Sequence, residues 1–210
     1  RLGLFKGIKQ EFENQFLAHL PGTPDIFSNL LILPLSGGAM YAHRDGAWER
    51  LYESEFSADE KGAIMAGFER AFREIGYVHP AVTYGPTIED RGSQVTFSAL
   101  GQEAPVAAKT EWNRTSDIRL ALKAALEPFL PACEVRFGGL TSIDVTKKGI
   151  DKAYGIGRVM EFLHVATHDI AYIGDALEEG GNDHAAVRTG VMTVDVANAE
   201  ETKAIIRSIV

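Results

Sequence analysis

The sequence predicts an α/β protein in which an α+β module is inserted between two pieces of a parallel-sheet core. After residue 151, helix and strand patterns alternate one by one, which is typical of a parallel sheet. The middle of the chain instead shows several strands and only two helices, which is typical of an antiparallel sheet covered by helices. We expect residues 1–44 and 147–210 to form the core and residues 45–146 to form the inserted domain.

The composition restricts the classes of partner. The 210 residues are 45% hydrophobic and 24% charged, and the net charge is -8. An acidic chain disfavours nucleic acid and anionic membranes, so we expect a small-molecule ligand. The single cysteine, Cys133, excludes an intrachain disulfide, and no apolar run approaches the length of a membrane span. A reducing, cytoplasmic location fits this pattern.

The first part of the chain predicts one helix and one short apolar segment. Apolar residues recur at helical spacing from Leu4 to Phe16, and the pattern ends before Pro21. The apolar run from Leu30 to Leu35 is followed by a loop that contains Gly37 and Gly38. The backbone of such a loop can approach a ligand closely, and a plain turn is the alternative interpretation.

The inserted domain carries clear turn and capping signals. Asp45-Gly46 lies between two short strand patterns and predicts a hairpin. Ser57 and Glu60 form a capping box that begins a helix, and Gly76 ends it. The other predicted elements are a half-buried strand around Val95 and Phe97, a helix from Asp117 to Leu126, and strands at Cys133 to Phe137 and Leu140 to Val145.

The last part of the chain predicts the alternation of a parallel sheet. Its helices are expected at Ala153 to Val165 and Glu200 to Ile209, and its strands at Ile170 to Gly174 and Val191 to Val196. The segment from His168 to Ile173 has the pattern of a buried strand.

An acidic, glycine-rich loop follows that strand. Asp175 comes directly after the strand, and Asp183 lies eight residues later. Open α/β sheets bind ligands at the carboxyl ends of their strands, and Mg²⁺ often takes one or two carboxylates together with waters and a phosphate. The two aspartates therefore indicate a Mg²⁺-phosphate site, with an ordinary acidic turn as the alternative for Asp175 alone.

Lys152 supplies the opposite charge. It lies in the first turn of a predicted helix, where the helix amino terminus favours anions and an ammonium group adds a mobile positive charge. A solvated lysine is the commoner outcome for such a residue. Together with an Mg²⁺-type carboxylate at the next strand end, however, it provides the parts that phosphoryl transfer needs.

These motifs resemble a known family. Gly149 to Lys152, Gly174-Asp175 and Gly180 to Asp183 look like motifs three and four of the haloacid dehalogenase (HAD) superfamily, in the subclass with an α+β cap (subclass IIB). The block from Phe137 to Val145 is most similar to the eukaryotic-type phosphomannomutase branch. The resemblance implies a HAD-like Rossmannoid core with an inserted cap, and it covers nearly the whole chain.

The resemblance also implies roles for individual residues. Lys152 would stabilise the transferring phosphoryl group, and Asp175 would ligate Mg²⁺ with Asp183 supporting that metal site. Ser142 and Asp144 would contact the sugar or its phosphate from the cap. Their spacing of two places them on one side of a strand independently of the family, although a solvent-facing strand would show the same pattern.

The cap departs from the family at the residues that hold the distant phosphate. Phosphomannomutases use arginines there; Arg91 matches the first, but Gln102 and Lys109 stand at the next two positions. Lysine lacks the bidentate geometry of arginine, and glutamine has no charge. The loss puts mutase activity in doubt and leaves monophosphate hydrolysis possible. The resemblance further implies a homodimer through the cap, which the sequence neither supports nor opposes.

The nucleophile motif of the superfamily does not occur in the 210 residues. Its Asp-x-Asp-Gly-Thr pattern belongs at the start of the core, upstream of the first helix here, and phospho-aspartate catalysis requires it. We expect an intact protein that performs Mg²⁺-dependent phosphoryl transfer on a hexose phosphate, as a phosphatase or a mutase, with that aspartate upstream of Arg1. The chain as given would then be inactive. The alternative is a non-catalytic remnant that binds a phosphosugar or a partner.

Overall fold

The computed structural model describes residues 24–115 and 117–209. The chain divides into two compact units, residues 1–148 and 149–210, and each is described by itself. The helix predicted from Leu4 to Phe16 lies outside the described residues. The assignment of residues 1–44 to the core remains a prediction. No helix within the two described ranges is long and apolar enough to cross a membrane.

The first unit contains four helices and seven strands within its described residues. They are α1 (Pro24–Ser28), β1 (Leu31–Ile32), β2 (Ala39–Arg44), β3 (Ala47–Glu53), α2 (Ala58–Glu74), β4 (Ile88–Asp90), β5 (Gln94–Ser98), α3 (Val106–Thr115), α4 (Ile118–Leu126), β6 (Cys133–Phe137) and β7 (Ser142–Lys147). Strands β1, β2 and β3 form one antiparallel sheet, and the other four form a second antiparallel sheet in the order β4-β5-β7-β6.

The predicted hairpin and capping box are both present. Strands β2 and β3 pair around Asp45 and Gly46, whose φ angles of 50° and 78° are the left-handed pair that a tight two-residue turn needs. The Ser57 hydroxyl accepts from the Glu60 N–H, and the Glu60 carboxylate accepts from the Ser57 N–H. Helix α2 ends at Glu74, and Gly76 follows it with φ of 64°.

The four-stranded sheet is covered on one face by helices α2 and α4, as the sequence predicted. The helices and strands share one hydrophobic core because apolar side chains alternate along the strands and recur at helical spacing along the helices. Its main members are Phe56, Ile64, Phe68, Val95, Phe97, Leu122, Leu126, Leu130, Val135, Ile143 and Val145.

Three predictions for this unit were incomplete or wrong. Strand β5 is buried on both faces, not half-buried, since its polar side chains are also shielded from solvent. Helix α3 was not predicted, because its apolar residues do not form a strong amphipathic stripe. Strand β7 begins at Ser142 instead of Leu140, because the glycine pair before it makes a turn that the Ser142 N–H closes by donating to the Gly139 carbonyl at 3.3 Å.

The second unit has the predicted alternation. Its elements are α5 (Lys152–Leu163), β8 (Ala171–Gly174), α6 (His184–Val187), β9 (Met192–Asp195) and α7 (Ala199–Ile209). Strands β8 and β9 are parallel, which confirms the sheet type, and Ile156, Ala186 and Val191 form a small core in this unit.

The buried strand predicted from His168 to Ile173 is wrong in its extent and burial. A short 3₁₀ helix occupies Thr167–Asp169, and in β8 Ala171 is exposed and only Gly174 is buried. Strand β8 pairs with β9 alone among the described strands, so it is an edge strand there and not a central, fully buried one.

Candidate functional site

The acidic loop after β8 folds back on itself. The Asp183 N–H donates to the Ala176 carbonyl at 3.0 Å, and the Gly181 N–H donates to the Glu178 carbonyl at 2.9 Å. A side chain at Gly181 would overlap the Ala176 carbonyl, so the turn requires a glycine there. This closure brings Asp183 next to Asp175, and the Asp175 N–H donates to Asp183 Oδ2 at 3.2 Å.

Helix α5 delivers Lys152 to the same loop. Its N-cap is Asp151, whose Oδ1 accepts from the Tyr154 N–H at 3.0 Å and whose Oδ2 is bonded by the Arg188 guanidinium. Lys152, the first helical residue, forms an ion pair with Asp183 Oδ1, and its Nζ lies 3.3 Å from Asn182 Oδ1. The structure thus joins two motifs that lie about thirty residues apart in the chain.

Asp183 is the most buried charged group of this site, with 3% of its surface exposed. Burial by itself raises the pKa of a carboxyl, but hydrogen bonds from Lys152 and Tyr172 outweigh it and hold the pKa of Asp183 below its usual value. The Tyr172 hydroxyl donates to the same Oδ1, and burial together with this carboxylate raises the pKa of Tyr172. Asp183 is therefore a fixed negative charge at the strand end.

The donor set fits Mg²⁺. Asp175 is exposed at the carboxyl end of β8, and its backbone N–H donates to Asp183 Oδ2. Among residues 24–115 and 117–209, no group of three or more His, Cys, Asp or Glu side chains could hold a metal ion. Mg²⁺ keeps several waters and binds through one or two carboxylates plus substrate oxygens, so two aspartates are an adequate set.

The polar residues of the cap lie on the sheet face opposite the hydrophobic core. Asp144 is paired in register with Thr96 on β5, and Ser142 with Ser98. The Thr96 hydroxyl donates to Asp144 Oδ1 at 2.8 Å, and Gln94 Nε2 donates to the Thr96 hydroxyl at 2.9 Å. Ser142 and Asp144 thus belong to one hydrogen-bonded polar layer and not to a freely solvated strand.

Asp144 differs from Asp183 in its electrostatic surroundings. Burial has the largest influence on the pKa of this carboxyl and raises it. The hydrogen bond from Thr96 and the nearby charges of Arg91 and Arg136 oppose that rise only in part. Gly138 packs against it, since a Cβ there would lie 2.8 Å from Asp144 Oδ2. The glycine pair of the Phe137 to Val145 block therefore leaves room for this carboxylate.

The three predicted phosphate-holding positions of the cap have protein partners. Arg91 bonds Glu89 Oε2 through Nε at 3.2 Å and Nη2 at 2.7 Å. Lys109 Nζ donates to the backbone carbonyl of Gln102 at 2.7 Å, which brings these two positions together. The binding role of all three remains a prediction.

The glycines of the first loop are closely packed. The Gly37 carbonyl accepts from the Tyr52 hydroxyl at 2.7 Å, and a Cβ at Gly38 would lie 2.6 Å from Ser93 Oγ. Packing against Ser93 accounts for the glycine at position 38 without a ligand. Their predicted contact with substrate is untested by this geometry.

Sequence reasoning missed several residues of these sites. Tyr172 looked like an ordinary apolar member of a strand, and Thr96 and Gln94 like surface positions of a half-buried strand. Only the phenolic and hydroxyl groups pointed to a hydrogen-bonding role. Asp151 could have been recognised as the N-cap of α5, since an aspartate directly precedes Lys152.

A family profile agrees with the motifs. The profile described as eukaryotic phosphomannomutase matches residues 65–210, which include the cap sheet, Lys152 and the acidic loop. No curated protein sequence matches the chain.

Solved structures resemble this chain over most of its length. The IMP-nucleotidase of Plasmodium falciparum is similar over 97% of this chain and 55% of that protein, with a TM-score of 0.59 and 16% identity. Its C-terminally truncated form is similar over 97% of this chain and 58% of that protein, with a TM-score of 0.59 and 15% identity. A sugar phosphatase of HAD subclass IIB is similar over 93% of this chain and 71% of that protein, with a TM-score of 0.53 and 17% identity.

At these identities the likeness shows the fold alone. That fold is an α/β HAD-like core with a cap domain, as the sequence predicted. The chain spans about half the length of the IMP-nucleotidases that it resembles.

Proposed function

Because the chain belongs to the eukaryotic phosphomannomutase family, we propose that it is part of an enzyme that transfers a phosphoryl group from a hexose phosphate. The reaction would be Mg²⁺-dependent and would proceed through an aspartyl phosphate. The attacking aspartate would lie upstream of Arg1. Its carboxylate oxygen would bond to phosphorus as the bond from phosphorus to the sugar oxygen breaks, and that sugar oxygen would take up a proton. Water would then attack the phosphorus, which would release phosphate and restore the carboxylate.

The contact between Lys152 and the acidic loop is the observation that carries this proposal. The Lys152 ammonium group pairs with the Asp183 carboxylate, and the Asp175 N–H donates to the same carboxylate, at the carboxyl end of β8, where α/β proteins bind ligands. Phosphoryl transfer has a charge-rich transition state, so positioning and neutralising the phosphoryl oxygens accounts for most of the catalysis. Lys152 would bind one of these oxygens, and Asp175 and Asp183 would hold the Mg²⁺ site. When bound, Mg²⁺ supplies further neutralisation of the phosphoryl charge.

The residue types at the distant-phosphate positions of the cap favour a monophosphate hydrolase over a mutase. A mutase must hold a bisphosphorylated intermediate in both orientations, which requires cations at the distant end. Only Arg91 keeps the family's arginine, since Lys109 lacks its bidentate geometry and Gln102 is uncharged. We therefore propose a sugar-phosphate phosphatase, with Ser142 and Asp144 as contacts for the sugar. A homodimer through the cap remains a prediction from the family.

Turnover of mannose phosphates by the protein with its natural amino terminus tests the proposal. We expect Lys152→Ala and Asp175→Ala each to lower kcat at least about 100-fold, because the first removes a positive charge beside the transition state and the second removes a ligand that would hold Mg²⁺. Phosphate release measures hydrolysis, and conversion of mannose 6-phosphate to mannose 1-phosphate measures the mutase reaction. The matched control is Lys203→Ala, since Lys203 is an exposed lysine of the same unit paired with Glu200 on α7.

Full activity in both variants would refute this assignment. Mutase turnover that equals hydrolysis would refute the preference for a phosphatase. A non-catalytic phosphosugar-binding protein is the alternative, motivated by the missing nucleophile motif. Calorimetry that shows saturable binding of mannose 6-phosphate without turnover, in a protein that naturally begins near Arg1, would favour that alternative.

A further inference from the structure

Tyr172 contributes a hydroxyl group to the candidate site. Its position in an apolar strand did not predict this role. It lies on β8, two residues before Gly174, and its side chain is half-buried. The hydroxyl donates to Asp183 Oδ1, the same oxygen that accepts from Lys152 Nζ. Tyr172 and Lys152 thus share one acceptor atom.

The oxygens of Asp183 are almost fully used. Oδ1 accepts from both Tyr172 and Lys152, which matches the two lone-pair directions of a carboxylate oxygen. Oδ2 accepts from the Asp175 N–H at 3.2 Å. A Cβ at Gly174 would lie 2.7 Å from Asp183 Oδ2 and 2.8 Å from Tyr172 Cε1, so both side chains pack directly on that glycine. The carboxylate is therefore held from three sides.

The hydrogen bond from Tyr172 to the shared oxygen weakens the attraction between Asp183 and Lys152. The positive end of the Tyr172 O–H dipole lies at the oxygen that also attracts the ammonium group of Lys152, so part of the negative charge is already compensated. Without the hydroxyl, Asp183 would hold Lys152 more tightly. A lysine held in that way is less available to a second anion.

On this basis, and resting on the proposed function, we propose that Tyr172 is a positioning residue that fixes Asp183 and keeps the Lys152 ammonium available to a phosphate group. Tyr172 itself does not contact the phosphate. Its effect passes through Asp183 to Lys152. The proposal therefore predicts that the contribution of Tyr172 disappears when Lys152 is absent.

Inorganic phosphate binding, measured by calorimetry on the full protein, tests this coupling. We expect Tyr172→Phe to raise the Kd for phosphate about threefold to tenfold, which is within the range for one ordinary hydrogen bond. In a Lys152→Met background, the same Tyr172→Phe substitution should leave the Kd unchanged. Tyr84→Phe is the control, since Tyr84 lies on a loop of the first unit and its substitution should leave the Kd unchanged.

The outcomes separate the two proposals. An unchanged Kd in Tyr172→Phe, or an equal rise with and without Lys152, would overturn the positioning role and leave the proposed function standing. Absence of phosphate binding in the unsubstituted protein would overturn both. Thermal unfolding of every variant shows whether a change in Kd comes from loss of the fold, and we expect the isosteric Tyr172→Phe variant to unfold close to the unsubstituted protein.

Discussion

Asp183 in the second unit and Asp144 in the first have similar packing, but their pKa values are shifted in opposite directions. Each packs against a glycine, Gly174 or Gly138, and each accepts a hydrogen bond from a side-chain hydroxyl. The pKa of Asp183 is lowered because Lys152 pairs with it. The pKa of Asp144 is raised because burial has the largest influence there. A glycine and a hydroxyl set the position of a carboxylate, and a directly bonded cation sets its charge.

The difference suits the proposed roles. An Asp183 that is ionised at neutral pH can hold a cation and orient Lys152 beside a phosphoryl group. A carboxyl such as Asp144, which is less readily ionised, suits hydrogen bonds to sugar hydroxyls because these need no compensating charge. The comparison can be tested at the glycines, at the helix caps and by pH.

The largest effect on stability is expected at the two glycines. We expect Gly174→Ala to lower the free energy of unfolding by about 2–3 kcal/mol, because the new Cβ would crowd both Asp183 and Tyr172. Gly138→Ala should cost about 1 kcal/mol, because only Asp144 Oδ2 would lie closer than 3 Å. Urea unfolding with hydrogen exchange of β8 and β7 measures each unit separately.

Helical glycines with open surroundings serve as controls for that experiment. Gly157 on α5 and Gly62 on α2 have no atoms within 4 Å of an added Cβ. Their replacement by alanine should stabilise each unit by about 0.5–1 kcal/mol, since alanine is the better helix former. A Gly138→Ala cost that equals the Gly174→Ala cost would show that the two carboxylates are equally tightly packed.

Substitutions at the N-caps of α5 and α2 should have similar effects on stability but different effects on activity. Asp151→Ala in α5 and Ser57→Ala in α2 should each cost about 1 kcal/mol, because each side chain accepts a hydrogen bond from a backbone N–H of the first turn. Only Asp151→Ala should also lower phosphatase turnover, because Lys152 is the next residue. Equal turnover in the two variants would contradict a role for the α5 cap in placing Lys152.

The smallest effect concerns pH. The lowered pKa of Asp183 stabilises the folded state above the ordinary carboxyl pKa of about 3.9, and this stabilisation is lost as the pH falls through the lower folded value. The raised pKa of Asp144 acts in the opposite sense, because ionising the buried carboxyl costs stability as the pH rises above about 3.9.

The effects of Asp183→Asn and Asp144→Asn on the free energy of unfolding should therefore change in opposite directions as the pH is raised. Between about pH 3 and pH 6, Asp183→Asn should become more destabilising relative to the parent protein, and Asp144→Asn less so. Urea unfolding in buffer with a chelator measures both differences. Parallel pH curves for the two variants would mean that the two carboxyls do not differ in their surroundings.

Short-range patterns predicted much of this molecule correctly. The hairpin at Asp45-Gly46 and the capping box of Ser57 and Glu60 depend on residues within a few positions, so the sequence specifies them directly. The burial of Val95 and Phe97 was underestimated because the polar face of β5 is shielded by contacts that no local pattern encodes. Helix α3 was missed for a different reason, since its apolar residues form no strong amphipathic stripe.

The sequence by itself determined the order of most elements, the two sheet types, the family and the residue types of the candidate site. Backbone propensity, turn chemistry and motif spacing act over short distances, so they can be seen in one dimension. Tertiary structure alone decided that Tyr172 and Lys152 share one oxygen of Asp183 and that Thr96 faces Asp144. Such contacts depend on loop closure and strand register, which arise only when segments distant in sequence pack together.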